Sequence, residues 1–341
     1  MALTIVDVAR LAGVSTSTVS HVLNGTRPVN EATRERVVGA IKATSYTRDA
    51  QARALRRSRT DSIGLVISDS GQPVFADMVR GVEDACQEAD FTLLLANSSE
   101  DPDRELKAIE ALQARRVDGL IIARTAHSRQ VAIDWPRAQN VPVVLLDRLV
   151  DLPIDQVGVE NEGPMRALVD HLLELGHRRI GIAAGNLAVP TMRERYAGYE
   201  TSLAGVGIEV EPTYVVTGTG AIEDTRERVR QLLSKPDRPT AFVSASSPMT
   251  IGTLRAAVDL GVRVPADVAF ATFDSLPCPD LIAPALTTVD QPAREVGREA
   301  MRLLLRRFKS PKAKPRTVRL TPTITHRWSC GCSPGSSPLV A

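Results

Sequence analysis

Four small polar side chains at helical spacing, Thr16, Ser17, Ser20 and His21, carry the most specific chemistry in this 341-residue chain. They fall in the stretch VSTSTVSHVLNG, residues 14–25. Hydroxyl and imidazole groups both donate and accept hydrogen bonds, so a helix face made of them can read polar edges, such as base edges in the major groove of DNA. Ser15 is placed to cap that helix, because its side chain accepts a bond from a free backbone N–H of the first turn. Val19, Val22 and Leu23 fall on one face at about 100° per residue. Ser17 and His21 point the opposite way, Thr16 stands at the exposed N-terminal end, and Ser20 lies on the flank beside Thr18.

A helix this short needs neighbours to hold it. Thr4 can cap a preceding helix over 5–11 with Ile5, Val8 and Ala9 as its apolar stripe, and Ala12-Gly13 permits a tight turn between the two. Asn30 can cap a third helix, whose Val37, Val38 and Ile41 return to the same small core. The pattern is a helix-turn-helix headpiece. From residue 48 to 59 the composition shifts to RDAQARALRRSR. Asp49 can cap about two helical turns there, with Arg53, Arg56 and Arg57 around a single Leu55. Such a helix is below the roughly 12–15 residues that are marginal in water, so it folds only against a partner. Residues 1–60 hold ten Lys and Arg against four Asp and Glu, while residues 61–341 hold 32 against 36. A basic head on a slightly acidic body suggests a polyanion partner for the head alone.

Beyond residue 62 apolar strands alternate with amphipathic helices. Strands are expected at 63–68, 92–96, 120–123, 141–146, 180–184, 214–216, 241–244, 268–273 and 287–289. Helices are expected at 76–89, 105–114, 165–175, 195–204, 225–233, 249–260 and 294–308. Nearly continuous apolar strands with crossover helices indicate doubly wound parallel sheets. The repeat breaks between residues 147 and 162 and again after residue 274, so the chain builds one sheet, builds a second and returns. Two α/β lobes formed this way leave a cleft at the carboxyl ends of their strands, the default small-molecule site.

Composition sets further bounds. Apolar residues are 43% and charged residues 24% of the chain, as in soluble globular proteins. No apolar run approaches the roughly 20 residues of a membrane span, and no basic-then-apolar leader opens the chain, so a cytoplasmic protein without a membrane partner is expected. The cysteines, at 86, 278, 330 and 332, match neither a zinc spacing nor a disulfide framework. Cys330-Gly331-Cys332 could form a redox pair or a soft-metal site. In a Gly/Ser/Pro-rich tail it reads as incidental, and no metal or cofactor is expected. There is no GxxxxGK[ST], no HExxH and no evident nucleophile with its base, so the chain does not read as an enzyme.

The stretches TIVDVARLAGVSTSTVSHVLNGTRPVNEATRERVVGAI and DAQARALRRSRTDSIGLV closely resemble the headpiece and hinge of LacI/GalR-type transcription regulators, with a second helix most like the purine-repressor branch. DPDRELKAIEALQARRVDGLII, VPVVLLDR, HLLELGHRRIGIAAG, RERYAGY, DLGVRVPADVAF and PALTTVDQP extend the resemblance to about residue 329. It implies a headpiece at 1–47, a hinge at 48–61, a periplasmic-binding-protein-like two-lobed body at 62–329 that binds effector and dimerises, and a flexible tail at 330–341. It implies a repressor that binds a palindromic operator as a homodimer under control of a sugar, nucleobase or related metabolite. Pro and Gly in the tail disfavour the appended helix of the family's tetramers.

Residue by residue, the resemblance implies that Thr16, Ser17 and His21 meet base edges and that Leu55 wedges into the minor groove at the operator centre, bending the duplex. Ser20 and the hinge residues Arg53, Arg56 and Arg57 are counted with them as DNA-binding. Asp147, Arg195 and Asp274 match effector-contact positions, and Phe75, in the loop after the first strand, would supply an apolar wall. Where many relatives have Asn-Asp, this chain has Ser246-Ser247 followed by Pro248, which leaves Ser246 as the polar contact and makes a simple hexose or pentose less expected. Glu160-Asn161 replaces Asp-Asn, and Arg48-Asp49 replaces Pro-Asn in the hinge. The alternative, a solute-binding or metabolic protein on the same body, fits neither the basic headpiece nor the lack of an export signal.

Overall fold

The computed structural model describes residues 4–25, 27–44, 59–277 and 279–332, with the backbone alone at Asn24 and Asp280. The chain divides into two compact units, Met1–Thr60 and Asp61–Ala341. In the first, α1 (Ile5–Ala12), α2 (Thr16–Asn24) and α3 (Glu31–Thr44) pack around Val8, Ala9, Ala12, Val19, Val37 and Ala40. Thr4 opens α1 by donating its N–H and hydroxyl to Asp7 Oδ2, at 2.9 and 2.7 Å. Gly13 ends it at φ 65°, a left-handed backbone that glycine takes without a Cβ clash. Ser15 Oγ accepts from Thr18 N–H at 3.2 Å, and Asn30 Oδ1 from Thr33 N–H at 3.3 Å. Val38, expected in this core, is instead 38% exposed. One step beyond Val37 turns its side chain about 100° out of the seam, and Ala40 fills the place.

The second unit holds two six-stranded sheets. The strands are β1 (Ser62–Ile67), β2 (Thr92–Asn97), β3 (Gly119–Ile122), β4 (Val143–Leu146), β5 (Asp155–Val159), β6 (Ile180–Gly185), β7 (Val215–Thr217), β8 (Ala241–Ser244), β9 (Ala269–Phe273), β10 (Thr287–Asp290), β11 (Thr317–Leu320) and β12 (Thr323–Thr325). The first lobe has the order β11-β5-β4-β3-β1-β2, all parallel, and the second β12-β10-β9-β8-β6-β7, parallel except for β12. Helices α4 (Pro73–Glu88), α5 (Pro102–Ala114), α6 (Val131–Ala138) and α11 (Ala293–Lys309) belong to the first lobe. Helices α7 (Glu162–Glu174), α8 (Pro190–Gly205), α9 (Ile222–Leu233) and α10 (Ser247–Asp259) belong to the second. The chain crosses between lobes after β5, β10 and β11.

Strand neighbours in the first lobe feed opposite cores. Leu65, Ile121 and Val144 join one apolar cluster, while Val66, Ile122 and Leu145 join the other. This is the period of two that a sheet covered on both faces imposes. Helices α4 and α11 approach closely enough that a Cβ on Gly81 would stand 1.9 Å from Arg294 O, and one on Gly297 2.1 Å from Met78 O. No other residue fits at either place.

Several expectations needed correction. The break expected between 147 and 162 contains β5, and β11, β12 and α6 were not anticipated. Hydropathy hides β5 because its first residue is Asp155, which is 1% exposed. Arg307 Nε donates to that carboxylate at 2.8 Å, Arg316 N–H at 2.8 Å and Arg306 Nη1 at 3.3 Å. Most body helices begin earlier than expected, since proline occupies the first turn of α4, α5, α8 and α10, where its missing N–H is not needed. Phe75 therefore sits in the first turn of α4, not in a loop. The tail expected to be flexible from residue 330 is packed through Cys332. Cys330 and Cys332 are 1% and 7% exposed, and Ser329 anchors them by donating to Phe270 O at 2.6 Å and accepting from Thr287 N–H at 2.8 Å.

Candidate functional site

In the headpiece, the cap at Ser15 sets the start of α2 and with it the direction of each polar side chain. Thr16 and Ser17 are exposed, while Ser20 and His21 are half-buried on the same helix as the buried Val19. Ser15 Oγ lies 2.7 Å from Ser17 Oγ and 2.9 Å from Thr18 Oγ1, so the cap also orients the Ser17 hydroxyl. The hinge residues Arg53, Leu55, Arg56 and Arg57 lie outside the described residues.

In the body, two strand ends supply two aspartates. β4 and β9 each stand third in their sheets, and the residue after each, Asp147 and Asp274, has a left-handed backbone at φ 69° and 74°. Asp tolerates this region better than most residues, and such strain gathers at binding sites. Each N–H closes on the adjacent strand, Asp147 to Val157 O at 2.8 Å and Asp274 to Val289 O at 2.9 Å. The two lobes thus present the same device.

Arg195, in the second turn of α8, is 2% exposed and joins this group. Its Nη1 is 3.8 Å from Asp274 Oδ2 and donates to Ala245 O at 2.6 Å. Its Nε donates to Asn161 Oδ1 at 2.9 Å, and its guanidinium lies 3.6 Å from the centroid of the Phe273 ring. Asp274 also accepts from Gln291 Nε2 and from the Ser247 N–H at the start of α10. Burial pushes the Asp147 carboxyl above the usual carboxylate range against the pull of Arg148 and Arg195, and does the same to Asp274 against Arg195. Burial likewise draws the Arg195 guanidinium below its ordinary value despite both aspartates. The charges are held in low dielectric with incomplete compensation, which is what a site for a polar ligand requires. Ser247 Oγ and Gln291 Oε1, both flanking Asp274, are buried without a hydrogen-bond partner.

Residues 4–49 match the sequence model described as bacterial regulatory proteins, lacI family, and residues 169–330 match that of a periplasmic binding protein-like domain. The transcriptional repressor PurR of Haemophilus influenzae strain PittEE is 34% identical over 305 residues, 89% of this chain and 91% of the relative. The ribose operon repressor of Escherichia coli K12 is 35% identical over 327 residues, 96% and 99% of the two chains. The chain belongs to the lacI family of bacterial regulatory proteins. As a lacI-family member it is a DNA-binding transcriptional repressor and not an enzyme.

Solved structures agree with the fold of a lacI-family protein. One, of the lac repressor dimer bound to operator and the anti-inducer ONPF, is 28% identical with TM-score 0.87 and covers 97% of this chain and 99% of its own. Another, a complex of the transcriptional regulator CelR with cellobiose, is 31% identical with TM-score 0.73 and covers 96% and 99%. The expected class, a helix-turn-helix headpiece with a two-lobed periplasmic-binding-protein-like α/β body, therefore stands. Among the described residues no helix is long and apolar enough to cross a membrane.

Not every effector position expected from the lacI-family resemblance joins the charged group. Phe75 is 2% exposed and belongs to the buried apolar cluster that includes Ile63, Leu65, Ile67 and Met78, so it offers no free apolar wall in this conformation. Ser246 is 6% exposed at the capping position of α10, where its carbonyl accepts from Thr250 N–H at 2.9 Å and Thr250 Oγ1 at 3.0 Å. The group includes two residues that were not singled out as contacts, Asn161 and Gln291. Both lie on crossings between lobes. Asn161 Nδ2 donates to Glu194 Oε2 at 2.8 Å, and Glu194 in turn pairs with Arg319 of β11 at 2.8 Å. Asn161 was visible only as part of a departure from the family pattern, and no motif marks Gln291.

Proposed function

We propose that this lacI-family repressor binds a palindromic operator as a homodimer in the cytoplasm, with an affinity set by a small polar effector seated at Asp147, Arg195 and Asp274. The buried, under-compensated Arg195 between two carboxylates carries this reading. Two carboxylates accept paired hydrogen bonds from hydroxyls or ring N–H groups and a guanidinium donates them, so the effector is a sugar, a nucleobase or a related metabolite. Ser246-Ser247 in place of an amide and a carboxylate disfavours a simple hexose or pentose, and the unpartnered Ser247 Oγ offers a further contact. Asn161 and Gln291 couple the effector to the crossings. An effector that prefers one lobe arrangement biases the equilibrium by its differential affinity. Thr16, Ser17, Ser20 and His21 take the base edges, Leu55 the minor-groove wedge, and Arg53, Arg56 and Arg57 the phosphates.

The test is selection of DNA from a random pool by the full chain, followed by binding at fixed salt with and without each member of a metabolite panel. A two-fold symmetric site is expected, together with one metabolite that shifts its affinity and raises the melting temperature. Ser17→Ala with His21→Ala should lower the specific over non-specific affinity ratio about tenfold or more while leaving non-specific binding unchanged, since base contacts specify and phosphate contacts position. An equal loss on all sequences would remove these residues from the base edges.

A further inference from the structure

The second lobe holds a thiol and imidazole cluster that the repressor site does not use. His171, in the last turn of α7, places Nε2 3.3 Å from Cys330 Sγ, and Cys330 Sγ lies 3.0 Å from Cys332 Sγ. The three ligand atoms fall within 4.8 Å of one another, and all three residues are buried. The His326 ring lies beside His171, with centroids 4.2 Å apart and planes tilted by 52°, and its Nδ1 is buried without a hydrogen-bond partner. We propose that His171, Cys330 and Cys332, with His326 as the fourth donor, form a structural zinc site that fastens the end of the body to α7.

Geometry and charge both favour this assignment. Tetrahedral zinc with Zn–S of about 2.3 Å and Zn–N of about 2.0–2.1 Å sets two sulfurs roughly 3.8 Å apart and a sulfur and a nitrogen roughly 3.6 Å apart, so the His171–Cys330 contact of 3.3 Å needs to open by a few tenths of an ångström and the Cys330–Cys332 contact of 3.0 Å by about 0.8 Å. Two thiolates and neutral imidazoles balance Zn²⁺ to zero net charge. The same donors around a monovalent soft ion leave a buried negative charge, which is costly. A one-residue spacing is shorter than that of most zinc cysteine pairs, and Gly331, at φ 86°, turns the backbone so that both sulfurs face one point. The segment is also preorganised before any ion arrives. Ser329 fixes it to β9 and β10, and Arg327 O accepts from both thiols at 3.2 and 3.3 Å. The donors come from positions 159 residues apart, so binding closes a long loop and adds its free energy to folding.

The full chain, purified under reducing conditions and without chelator, should contain about one zinc per chain by elemental analysis. Cys330→Ser with Cys332→Ser should lose it, and a chelator should lower the melting temperature of the natural chain but not of this variant. Should the double variant fail to fold, Co²⁺ replaces zinc in the natural chain, where a thiolate-to-cobalt charge-transfer band is expected and His171→Gln should weaken it. Equal zinc in the natural chain and the double variant, or a reduced chain with no such band, overturns the proposal. So does a Cys330–Cys332 disulfide that forms in glutathione buffer in place of zinc binding.

Discussion

Two buried arginines, one in each lobe, do opposite jobs. Arg148 is 5% exposed and Arg195 2% exposed, so burial does not separate them. Arg148 holds Glu100 with both terminal nitrogens, and donates to Arg124 O at 2.7 Å and Ser68 Oγ at 3.3 Å. Burial works against its charge, but Glu100 more than compensates, and its proton is held more tightly than usual. Arg195 has neutral partners within hydrogen-bond reach and its nearest carboxylate at 3.8 Å, and its proton is held less tightly than usual. A completed ion pair marks structure, and an incomplete one marks a place kept for a ligand.

Removing each guanidinium separates the two roles. Arg195→Met leaves Asp147 and Asp274 buried with less cation between them, and should cost about 3–5 kcal/mol of stability near neutral pH in chemical denaturation. Both aspartates already have folded values raised above their unfolded ones. The folded state therefore takes up protons first on acidification, and much of the loss should return as the pH falls through the raised folded values toward the unfolded value of about 3.9. A loss that is the same across the acid range would show that Arg195 was not balancing these carboxylates.

Arg148→Met should cost less, about 2 kcal/mol, because the Glu100 side chain is 36% exposed and can regain water. Its pH signature should also be reversed. Burial pushes the Glu100 carboxyl up, but Arg148 outweighs that and holds it below the usual range. In the natural chain Glu100 thus contributes stability above its unfolded value, and loses it as the pH falls through the lower folded value. Arg148→Met should abolish that acid-side loss and, because Arg148 Nε also faces Asp147 at 3.8 Å, should weaken the effector response without removing it. Loss of the response would place Arg148 in the effector site and end the distinction.

The sequence made some of this legible and concealed the rest for identifiable reasons. The caps at Thr4, Ser15 and Asn30, the building of one sheet, then a second and the return, and the positions of Asp147, Arg195 and Asp274 follow from local chemistry and from the resemblance. Helix starts were misplaced by a few residues because Pro73, Pro102 and Pro190 lie inside the first turns, whose apolar stripe has not yet begun. β5 was missed because Asp155 becomes buried only when Arg306, Arg307 and Arg316 arrive from about 150 residues away. Chain separations of 17 and 159 residues hid Gln291 beside Asp274 and His171 beside Cys330. A buried polar residue is unreadable until its partner is placed.

The smallest effect tests whether the two aspartates are as equivalent as their strands. Each carboxylate has an arginine at 3.8 Å, Arg195 Nη1 for Asp274 and Arg148 Nε for Asp147, but Asp274 also accepts from the Ser247 N–H and Gln291 Nε2. Asp147→Asn keeps the shape and a residue that tolerates the left-handed backbone, and removes a charge that burial disfavours. Stability at pH 7 should rise by about 1 kcal/mol, in the range of substitutions that relieve functional sites. The gain should shrink as the pH falls, because the natural Asp147 sheds its own penalty when it takes up a proton. Asp274→Asn should instead destabilise, since it weakens the bond to the start of α10. Effector response should be lost in both. If Asp147→Asn also destabilises at pH 7, the attraction of Arg148 and Arg195 exceeds the cost of burial, and the first lobe holds its aspartate as firmly as the second.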